Sequence, residues 1–140
     1  MNAAADRRRR LAKVIAILEQ RRATTTADLA RATAVREEAQ AKSDEAGRLW
    51  TTYEAQTWSL ASWLQRQFSR CLGELRRAEI LESEKRQALR RLNAQLDLLR
   101  RRYSTESRNC ERQISEAQLL EQASARYQRR KQDQRKVART

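Results

Sequence analysis

Residues 89–99 read Leu89-Arg90-Arg91-Leu92-Asn93-Ala94-Gln95-Leu96-Asp97-Leu98-Leu99. Leucines at 89, 92, 96 and 99 alternate in steps of three and four, the spacing that places them on one narrow stripe of an α-helix. The stripe extends both ways without a skip in register. It runs through Ala61, Leu64, Phe68, Cys71, Leu75, Ala78, Glu82 and Lys85, and beyond the leucines through Tyr103, Glu106, Cys110, Gln113, Ala117, Leu120, Ser124 and Tyr127. Fifteen of these twenty positions are apolar or aromatic. Persistence over so many heptads predicts one long helix with a sticky seam. Glu82 and Lys85 interrupt it together and read as a polar layer that fixes register.

The first half follows the same rule with smaller residues: Leu11, Ile15, Leu18, Arg22, Thr25, Leu29, Ala32, Arg36, Ala39, Ser43, Ala46, Trp50 and Tyr53. At roughly 25 cal/mol per Å² of apolar surface, alanine, threonine and arginine stems contribute less than leucine. The seam is thin, so the hairpin is expected to gain stability from a partner.

Composition agrees. The 140 residues contain no proline and two glycines, Gly47 and Gly73, and 35% of them are charged. Such a chain lacks turn chemistry and matches long helices or coiled coils. The fold class expected is all-α, two long helices in an antiparallel coiled-coil hairpin, forming a single domain over 1–140. The first helix is placed at about 6–50 and the second at about 61–136. The reversal is placed at about 51–60, where Trp50, Thr51, Thr52, Tyr53, Thr57, Trp58 and Ser59 supply moderate helix formers and candidate caps. Ser69–Gly73 is a second candidate for the bend. Reversal near 51–60 makes the second helix the longer one and leaves its last thirty or so residues overhanging.

Charge gathers at the two ends. Residues 1–23 carry seven Arg/Lys against two acids, and 126–140 carry seven against one. These runs hold +11 of the net +13. Folding back once would bring both to one tip of a rod, where like charges repel. That opposition is understandable if an anionic surface receives the tip. Three receivers compete. Nucleic acid would be neutralised by such arms, but the aromatic residues lie too far along the chain to serve as stacking platforms beside them. An anionic membrane favours lysines beside inserted aromatics or leucines, whereas these arms are rich in arginine and glutamine. A ring-shaped protein with an acidic or polar hole fits a narrow two-helix rod best.

Five of the seven aromatics, Trp50, Tyr53, Trp58, Trp63 and Phe68, fall within nineteen positions. They either fill the bend or form a partner-binding knob, and the two uses are compatible. Catalysis is not expected. Histidine is absent, and no glycine-rich phosphate loop or Gly-flanked nucleophile occurs. Cys71 and Cys110 are isolated, without metal-site spacing, and read as small reduced seam residues. Neither a membrane span nor a signal-peptide pattern is read, which suggests a cytoplasmic protein. No cofactor, metal or small-molecule substrate is expected.

The segment Trp63-Leu64-Gln65-Arg66-Gln67-Phe68-Ser69-Arg70-Cys71-Leu72-Gly73-Glu74-Leu75 has Phe and Leu spaced Phe-x3-Leu just after the expected bend. With the chain's length, basicity and lack of proline, it resembles the FliJ/YscO family, the central stalk of flagellar and virulence type III secretion export machines. Members are antiparallel two-helix coiled coils similar to the rotor stalk of rotary ATPases. The resemblance implies that the paired termini enter the pore of the hexameric export ATPase and promote its assembly and ATP hydrolysis. On this chain those would be Arg7, Arg8, Arg9 and Arg10 beside Arg129, Arg130, Lys131, Arg135 and Lys136. It further implies that Phe68, Leu72 and Leu75 contact the cytoplasmic domain of the export gate. The stalk would have no enzymatic activity of its own, would sit peripherally at the inner-membrane apparatus, and could escort secretion chaperones. The alternatives are a basic coiled coil that binds nucleic acid and a structural coiled coil that self-associates.

Overall fold

The computed structural model describes residues 3–53 and 58–140. Helix α1 spans Ala3–Tyr53 and α2 spans Trp58–Ala138, and no strand occurs among the described residues. The helices pack against each other in antiparallel fashion. As the number rises along one helix, it falls in the partner: Gly47 meets Phe68, Arg36 meets Glu82, Asp28 meets Lys85 and Arg7 meets Glu106. The hairpin expected from the heptad pattern is therefore the fold.

The predicted seam is the buried face. Along α1, every seam position from Leu11 to Trp50 is buried or half-buried. Along α2, the same holds from Ala61 to Cys110 except at Tyr103, which is exposed. Small residues of α1 receive large ones of α2. Ala39 packs with Leu75 and Ala78, and Leu96 is wholly buried. Burying a leucine contributes about 1.5–3 kcal/mol against fractions of that for alanine, so α2 supplies most of the seam's cohesion.

Both helices are longer than the sequence suggested. Thr51 and Thr52 do not end α1. Their hydroxyls donate to the carbonyls of Gly47 and Arg48 one turn back, which keeps these residues inside the helix instead of capping a new one. On the other side α2 already begins at Trp58. Of the expected 51–60 reversal, residues 51–53 and 58–60 are helical, and 54–57 lie outside the described residues. The alternative bend at Ser69–Gly73 is continuous helix.

Packing gathers the chain into two compact units, Met1–Ala16 with Asp97–Thr140 and Ile17–Leu96. In the first, Ala4 and Cys110 are the buried residues among those described, and everything from Glu111 onward is exposed. In the second, the seam is crossed by a charged layer. Arg36 Nε donates to Glu82 Oε2 at 2.7 Å, Arg86 holds the other oxygen of the same carboxylate, and Lys85 reaches Asp28 at 3.7 Å. This is the polar layer anticipated from Glu82 and Lys85, with Arg36 and Asp28 as its partners. The two cysteines, Cys71 half-buried and Cys110 buried, form no disulfide.

Candidate docking surfaces

In the first unit, the turn of α1 that carries Arg7, Arg10 and Leu11 faces Leu98, Arg101, Arg102, Thr105 and Glu106 of α2 across an open groove of about 490 Å³. Positions 98, 101, 102 and 105 follow helical spacing, so they share one face beside the seam. Arg7 Nε donates to Glu106 Oε1 at 3.2 Å, while Glu106 Oε2 is shielded from solvent with no hydrogen-bond partner. The unit as a whole has seventeen Arg/Lys against seven Asp/Glu, which is +10 of the net +13.

The two basic arms do not meet. Arg7 lies beside Glu106, so Arg7–Arg10 is flanked by Leu98–Glu106. Arg129, Arg130, Lys131, Arg135 and Lys136 stand on the exposed stretch of α2, at least 23 residues further on. At 1.5 Å rise per residue that is a separation on the order of 35 Å. The cause is the difference in helix length, 81 residues in α2 against 51 in α1. The overhang foreseen from the position of the bend is present, and it is what separates the arms. In their place the fold brings Arg101 and Arg102 to Arg7 and Arg10. Sequence reading passed over these two arginines, although reflecting the chain about residue 55 places 101–103 opposite 7–9.

In the second unit, Phe68, Leu72 and Leu75 line one open groove of about 650 Å³ together with Gln40, Ser43, Asp44, Gly47, Arg48 and Thr51 of α1. They differ in availability. Leu72 is 44% exposed, whereas Leu75 is 8% exposed and belongs to the Ala39–Leu75–Ala78 core. The Phe68 ring lies over Gly47, so close that a Cβ there would sit 3.2 Å from its Cε2. Gly47 is thus a seat for an aromatic ring within α1. On a second groove of about 220 Å³, half-exposed Trp63 stands with Leu49, Ala46, Leu64 and Cys71. Of the aromatic run, Phe68 packs inward on α1 and Trp63 faces solvent. The side chain of Trp58 lies outside the described residues.

No family model, curated protein or solved structure matches this chain.

Among the described residues, no group of three His, Cys, Asp or Glu is arranged to hold a metal. No described helix is long and apolar enough to cross a membrane. All three grooves are shallow and open between two helices. Such surfaces suit the side chains of a protein partner better than a small ligand, which sites usually enclose.

Proposed function

We propose that this chain is a stalk or coupling subunit of a bacterial type III secretion system. Its basic unit would dock on the hexameric export ATPase, and the groove at Phe68, Leu72 and Leu75 would contact the cytoplasmic domain of the export gate. The observation that carries this reading is the partition of charge. Ten of thirteen net positive charges lie in one unit, whose exposed helix from Glu111 onward has no covering element among the described residues. A single helix is about 10–12 Å across with its side chains. In this reading it enters the ring first with Arg129, Arg130, Lys131, Arg135 and Lys136, and Arg7–Arg10 reach the rim behind it. Electrostatic steering by such a surface raises encounter rates with an acidic partner. The chain would act mechanically, without catalysis of its own.

The test is ATP hydrolysis by the secretion ATPase encoded beside this gene, with and without the purified protein, at about 150 mM salt, where exposed charges are screened beyond about 8 Å. Stimulation is expected at fewer than one chain per ATPase subunit. Arg8→Glu, Arg9→Glu, Arg129→Glu and Arg130→Glu together should abolish it while helicity persists. A competent ATPase that ignores the protein, or responds normally to the quadruple variant, removes the reading.

One observation favours a second reading, self-association. Leu119, Leu120 and Tyr127 are each more than half exposed on a helix that still carries the seam pattern. A monomer mass that stays constant with concentration in light scattering would exclude it.

A further inference from the structure

The groove of the first unit has a composition that selects its ligand. Its floor is apolar: Leu11 is half-buried and Leu98 is 51% exposed, so covering Leu98 would remove apolar surface from water. Its rim is cationic. Arg7 is engaged by Glu106, but the guanidinium groups of Arg10, Arg101 and Arg102 make no ion pair or hydrogen bond among the described residues; Arg101 takes part only through its backbone carbonyl, which accepts from the Thr105 hydroxyl. Three guanidinium forks therefore surround an apolar strip with no carboxylate of the described residues paired to them. Guanidinium groups bind carboxylates bidentately, with geometry that a diffuse charge does not supply. The Arg7–Glu106 pair shows a guanidinium–carboxylate contact at the same site, made through one oxygen only.

We infer that this groove is a docking site for an acidic amphipathic helix of a protein partner. The partner would place one or two leucine-sized side chains on the Leu11–Leu98 floor and carboxylates against Arg10, Arg101 and Arg102. A helix suits the site because its apolar positions at i and i+4 lie in a row with charged neighbours on both flanks. Nucleic acid fits less well. Its phosphates would engage the arginines, but no aromatic residue lines the groove to stack a base, and the leucines would meet sugar and phosphate. The inference concerns the groove's own chemistry and does not depend on the secretion reading. A failed ATPase assay leaves it standing, and its failure leaves that reading standing.

The full-length protein should be titrated against a fluorescein-labelled synthetic helix with leucines on one face and glutamates on both flanks, read by fluorescence anisotropy at about 150 mM salt. Saturable binding is expected. Arg101→Ser with Arg102→Ser should weaken it about tenfold or more, and Leu98→Ser should weaken it severalfold. Arg126→Ser with Arg129→Ser, equal in charge removed but outside the groove, should leave the affinity within about twofold. Circular dichroism checks that all variants remain helical, which is expected because the substituted side chains are exposed. Three results would overturn the inference. The first is equal binding of a peptide whose leucines are replaced by serine, which would mean charge attraction alone. The second is equal weakening by the control pair, which would assign binding to the unit's total charge. The third is tighter binding of a single-stranded DNA oligonucleotide, which would make the partner a nucleic acid.

Discussion

Arg36 and Glu82 face each other across the seam of the hairpin, Nε to Oε2 at 2.7 Å, at positions where the heptad pattern calls for apolar residues. Glu82 is 5% exposed and shares its second oxygen with Arg86. A carboxylate so enclosed is tolerated because both oxygens are occupied. Such pairs add little net stability compared with apolar residues, yet removing Arg36 leaves Glu82 Oε2 buried without its partner while Arg86 holds only the other oxygen. Arg36→Leu alone should therefore lower the thermal midpoint, and Arg36→Leu with Glu82→Leu should restore or exceed it. The double variant should also lose register specificity, seen as broadened or doubled amide NMR signals near the layer. A single variant as stable as the parent would show that the pair does not matter.

The two glycines sit in different surroundings, and the difference can be measured. Nothing lies within 4 Å of a Cβ built on Gly73, an exposed position inside α2. Gly73→Ala should stabilise by about 0.5–1 kcal/mol through helix propensity alone. Gly47→Ala gains the same propensity but presses on the Phe68 ring at 3.2 Å. Its stabilisation in urea unfolding should be the smaller of the two, and the gap should close in a Phe68→Leu background. Equal gains in the parent would show that the ring moves aside without penalty.

Much of the fold was legible in the sequence because the seam obeys one rule throughout. Leu96 and Ala39 are buried where the three-four spacing puts them. The spacing could not reveal where coverage stops. Ala117, Leu120 and Tyr127 continue the stripe in unbroken register, yet all are exposed, because a heptad pattern encodes a sticky face and not the length of the helix that covers it. The helix ends flanking the expected reversal were set a few residues short for a local reason, since Thr51 and Thr52 can either cap a helix or bond back to their own turn, and here they bond back. The groove at Arg101 and Arg102 required the register of two segments some ninety residues apart. Composition alone drew attention to the arginine-rich ends.

Asp28 makes the stability of the second unit sensitive to acid. Its carboxylate is hydrogen-bonded to Arg31 on its own helix, which does most to hold its pKa below the ordinary carboxylate value; burial opposes this, and the ion pair with Lys85 on α2 lowers it further. The unfolded group titrates near pH 3.9. Because the folded pKa lies lower, the stabilisation is fully present above that pH and is lost as pH falls through the folded value. Asp28→Asn should be less stable than the parent at pH 6, with the gap narrowing steadily below about pH 4. A gap that is constant down to pH 2 would mean that the carboxylate's charge has no part in it.

Cys110 reports on whether the first unit stays closed. It is 2% exposed at the last covered turn of α2, whereas Cys71 is only half-buried beside Trp63 and Leu64. Thiol reagents attack the accessible thiolate, so modification of a buried cysteine must wait for local opening. Under native conditions Cys71 should react with an iodoacetamide probe first and Cys110 at least about tenfold more slowly, resolved by peptide mass spectrometry. Ala4, 1% exposed, is the other buried residue of this unit among those described. Ala4→Asp would place a charge in that enclosed position, which is unfavourable without a partner. It should accelerate labelling of Cys110 and leave Cys71 unchanged. Fast labelling of Cys110 in the parent would show that the start of α1 is detached for much of the time, and that the Arg7–Glu106 pair and the groove beside it are then open as well.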